Sequence, residues 1–154
     1  MGYSGELLVA RSAQPLAGSP AIGETAVLFE KELGGGWRYA QLDGGASDAL
    51  AELVRLTGAP ALSAFVIDSD AALVEAASPA GVSWAAHVHP ERAAEMGAPA
   101  LGLGPAEIVE RAVAWAAEAG LTADAGAVAA VLASANTFAE ETFEELLDAL
   151  GITA

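Results

Sequence analysis

Residues 61–67 (ALSAFVI) are the most informative segment of this 154-residue chain for the fold. They follow Pro60 and are apolar on both of the alternating faces that a strand presents. A strand with this pattern lies inside a sheet, where other elements cover both of its sides. We therefore predict a central strand here, with Phe65 and Ile67 buried.

The segments before this strand also have strand character. Residues 6–11 (ELLVAR), 26–33 (AVLFEKEL) and 37–42 (WRYAQL) are short runs rich in apolar residues. Residues 34–36 are three glycines, which tolerate the positive φ that a tight hairpin requires. We interpret them as a hairpin loop and not as a phosphate-binding loop, because the Lys and the Ser or Thr of a P-loop do not follow.

One helix and two further strands are predicted around the central segment. Ser47 is a good N-cap and Gly58 a good stop, so that a helix spans residues 47–57. Residues 73–77 form a weaker strand or one helical turn. Residues 81–89 (GVSWAAHVH) alternate between two faces and predict another.

The chain after Pro90 has helical patterns. Residues 91–96 form a short helix, and residues 105–119 a longer one with proline in its first turn. Thr122 and Thr137 are the predicted caps of the last two helices.

This order of elements predicts one α+β domain over residues 1–154. Its antiparallel or mixed sheet would have about five or six strands from the first half of the chain. The helix at 47–57 and the C-terminal helices would pack against that sheet. A doubly wound sheet is the alternative, but loops and not helices separate the early strands.

The charge of the chain bears on its partners. Six Lys and Arg stand against 21 Asp and Glu, a formal net charge of −15, and the six basic residues are scattered singly. Such a chain repels nucleic-acid phosphates and anionic lipids. We expect no nucleic-acid or membrane partner, and the charge would favour a basic protein partner if it is not merely solubilising. A homodimer is left open.

Cysteine is absent, which excludes disulfides, thiolate metal sites and a cysteine nucleophile. The N-terminal residues lack the basic start and apolar run of a signal peptide, and no stretch of about 18 apolar residues occurs. We expect a soluble, cytoplasmic protein without a metal or a cofactor.

The candidate catalytic residues are His87, His89, Asp68 and Asp70. Strand alternation places both histidines, the only two of the chain, on one face. They could act there as metal ligands or as an acid and base pair, with the two aspartates one strand step apart as further donors. The alternative is that all four side chains end strands or cap the helix that follows. No nucleophile elbow of the Gly-x-Ser-x-Gly type is present.

Three aromatic residues, Trp37, Tyr39 and Trp84, are the candidates for lining a ligand pocket, with core packing as the alternative. Nothing in the sequence names a reaction, so whether the chain is an enzyme stays open. We expect a non-catalytic protein-interaction or regulatory module. The alternative is a small-molecule-binding protein or a hydrolase-type enzyme, with its pocket near the four candidate catalytic residues.

Overall fold

The computed structural model describes residues 2–46 and 48–153, which form a six-stranded antiparallel sheet and five α-helices. The strands run in the order β2-β3-β1-β4-β5-β6 across the sheet. The predicted α+β fold, with a sheet from the first half of the chain, is therefore confirmed. The strands are β1 (Gly5–Arg11), β2 (Val27–Glu32), β3 (Trp37–Leu42), β4 (Ala61–Ile67), β5 (Ala71–Ala77) and β6 (Trp84–Val88). The helices are α1 (Ala49–Thr57), α2 (Pro90–Glu95), α3 (Pro105–Glu118), α4 (Ala125–Leu132) and α5 (Ala139–Leu150).

The predicted central strand is confirmed as β4, which pairs with β1 on one side and β5 on the other. Short turns join β4, β5 and β6 in succession, and the glycines of residues 34–36 turn the chain between β2 and β3. Gly35 and Gly36 have φ values of 70° and 83°, which a residue with a side chain adopts only at a cost. Helix α1 connects β3 to β4, which lie on either side of β1.

Helices α3, α4 and α5 cover one side of the sheet, which we call the first face. Here Leu62, Ala64 and Val66 of β4 are fully buried. The ring of Trp115 on α3 packs 6.1 Å from that of Trp37, and a larger aliphatic layer surrounds them. Most of the apolar surface that stabilises the fold lies in this layer.

The other side of the sheet, the second face, is only partly covered. Helix α1 lies over one end of it, where Leu53 packs with Leu8 and Ala61. At the other end of β4, Phe65 is 41% exposed and Ile67 is 43% exposed. The prediction that these two residues are buried is therefore wrong. A nine-residue helix is only about 14 Å long, so α1 cannot cover the full length of the strands beneath it.

Several element boundaries differ from the prediction. The strand predicted at residues 81–89 spans only Trp84–Val88. Helix α4 begins later than Thr122, because the side chain of Asp124 accepts the cap hydrogen bond from the amide of Ala127. The predicted cap Ser47 lies outside the described residues, and α1 is described from Ala49. In residues 2–46 and 48–153 no helix has the length and apolar character needed to cross a membrane.

Candidate functional site

The two histidines occupy different environments. The Nε2 atom of His87, on β6, lies 2.9 Å from the carbonyl oxygen of Pro99. His89 lies just after the end of β6, has a φ of 55°, and is only 7% exposed. Because the backbone leaves the extended conformation there, strand alternation no longer applies and the expected pairing of the two rings does not form.

His89 is the centre of a buried hydrogen-bond network. Its Nδ1 atom lies 2.8 Å from the carbonyl oxygen of Asp70, which can only accept, so Nδ1 is assigned the proton. Its Nε2 atom then accepts from the hydroxyl of Thr142, 2.8 Å away, and from the amide of Asn136 at 3.2 Å. The Thr142 oxygen in turn accepts from the side-chain amide of Asn136 at 2.9 Å.

The groups of this network are connected as in a nucleophile–base pair: a hydroxyl bonds to an imidazole, and the imidazole bonds in turn to an acceptor. Thr142, however, is 0% exposed, so no substrate reaches its hydroxyl. The network instead joins α5, which carries Thr142, to the turn between β4 and β5 and to the end of β6. We assign it a structural role, in which buried polar groups provide one another with hydrogen-bond partners.

Of the two candidate aspartates, only Asp70 lies near a histidine side chain by its described contacts. The carboxylate of Asp68 accepts from the amide of Gly2 at 2.7 Å. The carboxylate of Asp70 lies 3.2 Å from Arg92, and these two residues line a polar cavity of about 410 Å³ together with His89. Arg92 pairs there with Asp70 and Glu95, and His89 accepts from the amide of Asn136, so these polar groups are already engaged.

A metal centre would need at least three suitable donors close together. The part of the chain that the structure describes contains no group of three or more His, Cys, Asp or Glu side chains arranged to hold an ion. The four candidate residues therefore do not come together as the metal site that their spacing in the sequence allowed.

The three candidate aromatic residues lie in the core of the first face. Trp37, Tyr39 and Trp84 are 1%, 4% and 3% exposed. Their rings pack against those of Trp115 and Phe143, with centroids 6.1 to 6.4 Å apart. They contribute mainly hydrophobic burial, and Trp37 also lines a small cavity of about 270 Å³ beside Arg38.

The uncovered part of the second face is the most distinctive surface of the molecule. We call it the open face and define it by Glu6, Phe65, Ile67, Leu73 and Glu75. Backbone register places Glu6 opposite Phe65, and Phe65 opposite Leu73, in one row across three strands. Two exposed large apolar side chains and two carboxylates therefore share one side of the sheet.

The electrostatics of the open face centre on Glu6. Burial, and to a smaller extent the nearby charge of Glu75, raises the pKa of its carboxyl to about 7. One carboxyl oxygen of Glu6 is buried and has no hydrogen-bond partner within residues 2–46 and 48–153. Tyr3 lies beside it, and burial together with the Glu6 charge raises the pKa of the Tyr3 hydroxyl. Among the described residues Glu6 takes part in no ion pair, so no cation there compensates its carboxylate.

The open face was not predicted, although two acidic residues in the sequence indicate it. Glu6 and Glu75 stand inside strands that are otherwise mostly apolar, and both fall on the alternate positions that face away from the α3–α5 layer. A charged residue within a mostly apolar strand marks a face that the rest of the chain does not cover. Together the two acids indicated where the second face is open.

The basic residues of the chain are already engaged elsewhere. Arg11 donates to the carbonyl of Ala119 at 2.8 Å, and the other five basic side chains form ion pairs with acidic ones. These pairs are Lys31 with Glu144, Arg38 with Glu30 and Glu32, Arg55 with Glu52, Arg92 with Asp70 and Glu95, and Arg111 with Glu107. The acidic excess therefore remains at the surface, where it sets the electrostatic field that a partner meets.

Comparison with known proteins gave no match among family models, curated proteins or solved structures.

Proposed function

We propose that this protein is a non-catalytic interaction module whose open face binds a basic, amphipathic segment of a partner protein. The observation that carries the proposal is the exposure of Phe65 and Ile67 beside the carboxyl group of Glu6, one oxygen of which is buried without a hydrogen-bond partner in the described chain. The exposed carboxylate of Glu75 adds a second negative charge nearby. A segment with one apolar side and one cationic side matches both features of this surface.

The exposed apolar side chains of the open face lie where a partner could cover them. Phe65 and Ile67 lie on an interior strand, where a sheet is normally covered, and Met96 adds a third exposed apolar group at the edge of the same area. Contiguous apolar residues with a polar rim are typical of protein-binding surfaces. Burying them against a partner would supply most of the binding free energy.

The acidic side chains of the open face favour a partner segment of positive charge. A lysine or arginine placed at Glu6 would compensate a half-buried carboxylate, and charge-assisted hydrogen bonds of this kind are stronger than neutral ones. The net charge of −15 would also speed the encounter with a cationic segment and slow the encounter with an anionic one.

The alternative of a hydrolase-type enzyme has less support. Its best candidate pair is Thr142 and His89, and the hydroxyl of that pair is fully buried. The remaining polar cavity holds Asp70 and Arg92, which neutralise each other. Within residues 2–46 and 48–153, no hydrogen bond joins an exposed hydroxyl to a histidine or a carboxylate at either place.

The proposal is tested with two fluorescein-labelled synthetic peptides of amphipathic helical spacing, one of Leu and Lys and one of Leu and Glu. Fluorescence anisotropy should show saturable binding of the Leu–Lys peptide and none of the Leu–Glu peptide. The substitution Phe65→Ser should weaken the Leu–Lys peptide by about tenfold or more, which corresponds to ~1.4 kcal/mol.

Phe29→Ser is the matched control, because Phe29 is 51% exposed on β2 and belongs to the same sheet but not to the open face. It should leave binding unchanged. Equal losses in the two variants would show that the peptide senses only general charge and hydrophobicity. Binding of both peptides with similar affinity would contradict the proposed choice of a basic partner.

A further inference from the structure

A second surface feature lies where the sheet ends at β6, and it is separate from the open face. A cavity of about 650 Å³ opens between this edge strand, helices α3 and α4, and the segment of residues 97–104. Its walls include Ala86 and His87 of β6, Leu103 of the connecting segment, Val109 of α3 and Leu132 of α4.

The segment of residues 97–104 forms the outer wall. It starts beside the open face, where Pro99 bonds to His87, and it ends on the first face, where Leu103 packs against the core. It therefore passes around the β6 edge of the sheet. Within the described chain, no backbone hydrogen bond joins residues 98–104 to β6, so the wall and the strand do not close the space between them.

The lining of the cavity determines which chemistry fits. Among the described residues that line it, none has a side chain with a formal charge, and the imidazole of His87 is the one polar side chain. The Nε2 atom of that imidazole is already bonded to Pro99, which leaves Nδ1 as its remaining polar atom. A charged ligand would lose its hydration here without gaining a partner of opposite sign.

The volume points to a small molecule. Small-molecule sites typically have volumes of about 300 to 1,000 Å³, with mostly apolar walls and few polar groups. The cavity beside β6 lies inside this range and has that composition. Anionic compounds would in addition meet the net negative charge of the chain.

We propose that the cavity between β6, residues 97–104, α3 and α4 binds an uncharged, mainly hydrocarbon small molecule. This goes beyond the interaction surface of the open face, since only His87 borders both sites and their other walls differ. It assigns the protein a ligand-binding site that is independent of its partner.

The test uses N-phenyl-1-naphthylamine, an uncharged fluorescent probe, and 1-anilinonaphthalene-8-sulfonate, which has the same aromatic body with an added sulfonate. The uncharged probe should bind saturably at one site, about tenfold or more tightly than the sulfonate. Ala129→Trp places a large side chain into the cavity from an exposed position on α4 and should weaken the uncharged probe by about tenfold.

Ala130→Trp is the matched control, because Ala130 is the next exposed alanine of the same helix and does not line the cavity. It should leave probe binding unchanged, and circular dichroism checks that both variants fold. If Ala129→Trp does not fold, nuclear Overhauser contacts from the probe to the methyl groups of Leu103 and Leu132 decide the question. Non-saturable binding, preference for the sulfonate, equal losses in the two variants or absent contacts would overturn the proposal. Binding of the Leu–Lys peptide by folded Ala129→Trp should stay unchanged, so the proposals for the two sites can be refuted separately.

Discussion

Glu6 on β1 and Phe65 on β4 are register partners, so a half-buried carboxyl group and an exposed aromatic ring lie side by side on one face of the sheet. A partner that covers Phe65 would bury Glu6 further, and would therefore need to bring a cation to it. The apolar and the charged parts of this surface are coupled for that reason.

The raised pKa of Glu6 makes the folding stability depend on pH. The folded pKa of about 7 lies above the ordinary value of 4.5, so the folded state holds the proton more tightly than the unfolded state. The free energy of unfolding should therefore fall as the pH rises from about 4.5 to 7, by on the order of 1 to 2 kcal/mol for a carboxyl that solvent still partly screens.

Urea unfolding at a series of pH values measures this dependence. Glu6→Gln should remove most of the fall across that window, while Glu32→Gln, at an exposed acid of β2, should leave it in place. An identical pH profile for the wild type and Glu6→Gln would show that Glu6 ionises normally in the folded protein.

The two apolar residues Phe65 and Leu62 should respond very differently to truncation, although they lie on the same strand. Leu62→Ala removes a side chain that is fully buried on the first face and should cost about 2 to 5 kcal/mol. Phe65→Ala removes a ring that is 41% exposed and should cost about 1 kcal/mol or less. Chemical denaturation compares them, and a cost for Phe65→Ala as large as that for Leu62→Ala would mean that the open face is covered in solution.

The sheet could be predicted from the sequence because strand periodicity is a local property. Residues 61–67 are apolar on both faces, and this pattern does require an interior strand. The pattern does not say what covers each face at each point. Which residues of the second face are covered depends on the length and position of α1, which packs with Ala61 and leaves Phe65 exposed. The position of α1 is set by how the elements pack and not by any local sequence pattern.

The candidate site could not be predicted for a related reason. His89 follows the alternation of β6 in sequence, but its left-handed backbone turns the chain out of the strand. Its partner Thr142 is 53 residues away in the chain, and nothing in either segment indicates the other. Glu6 and Glu75, in contrast, carried a readable signal as acids within otherwise mostly apolar strands, Glu6 at the second position of β1 and Glu75 at the fifth position of β5.

The structural role of His89 predicts that it stabilises the fold far more than His87 does. His89→Ala would leave the Asp70 carbonyl and the Thr142 hydroxyl without their partner in a buried place, at a cost of about 2 to 4 kcal/mol. His87→Ala removes a partly exposed ring with one hydrogen bond and should cost about 1 kcal/mol or less. Thermal unfolding of the two variants measures the difference, and equal shifts in melting temperature would contradict the network.

Binding of the Leu–Lys peptide should become tighter as the pH rises from 6 to 8. The peptide's lysines remain charged throughout, since their ordinary pKa is about 10.4. Glu6, with a pKa of about 7, changes from mostly protonated to mostly ionised over this range, and only the ionised form pairs with a cation. Affinity should therefore increase by about tenfold, and raising the salt concentration should reduce it at every pH.

Other titratable groups face this part of the open face, so the profile needs controls. Glu75 on β5, His87 on β6 and Tyr3 before β1 lie in or beside the same row. Anisotropy titrations with Glu6→Gln should give an affinity that no longer changes between pH 6 and 8, whereas His87→Gln should keep the wild-type profile. If His87→Gln abolishes the pH dependence and Glu6→Gln does not, the titrating group is the imidazole, and the cation of the partner does not pair with Glu6.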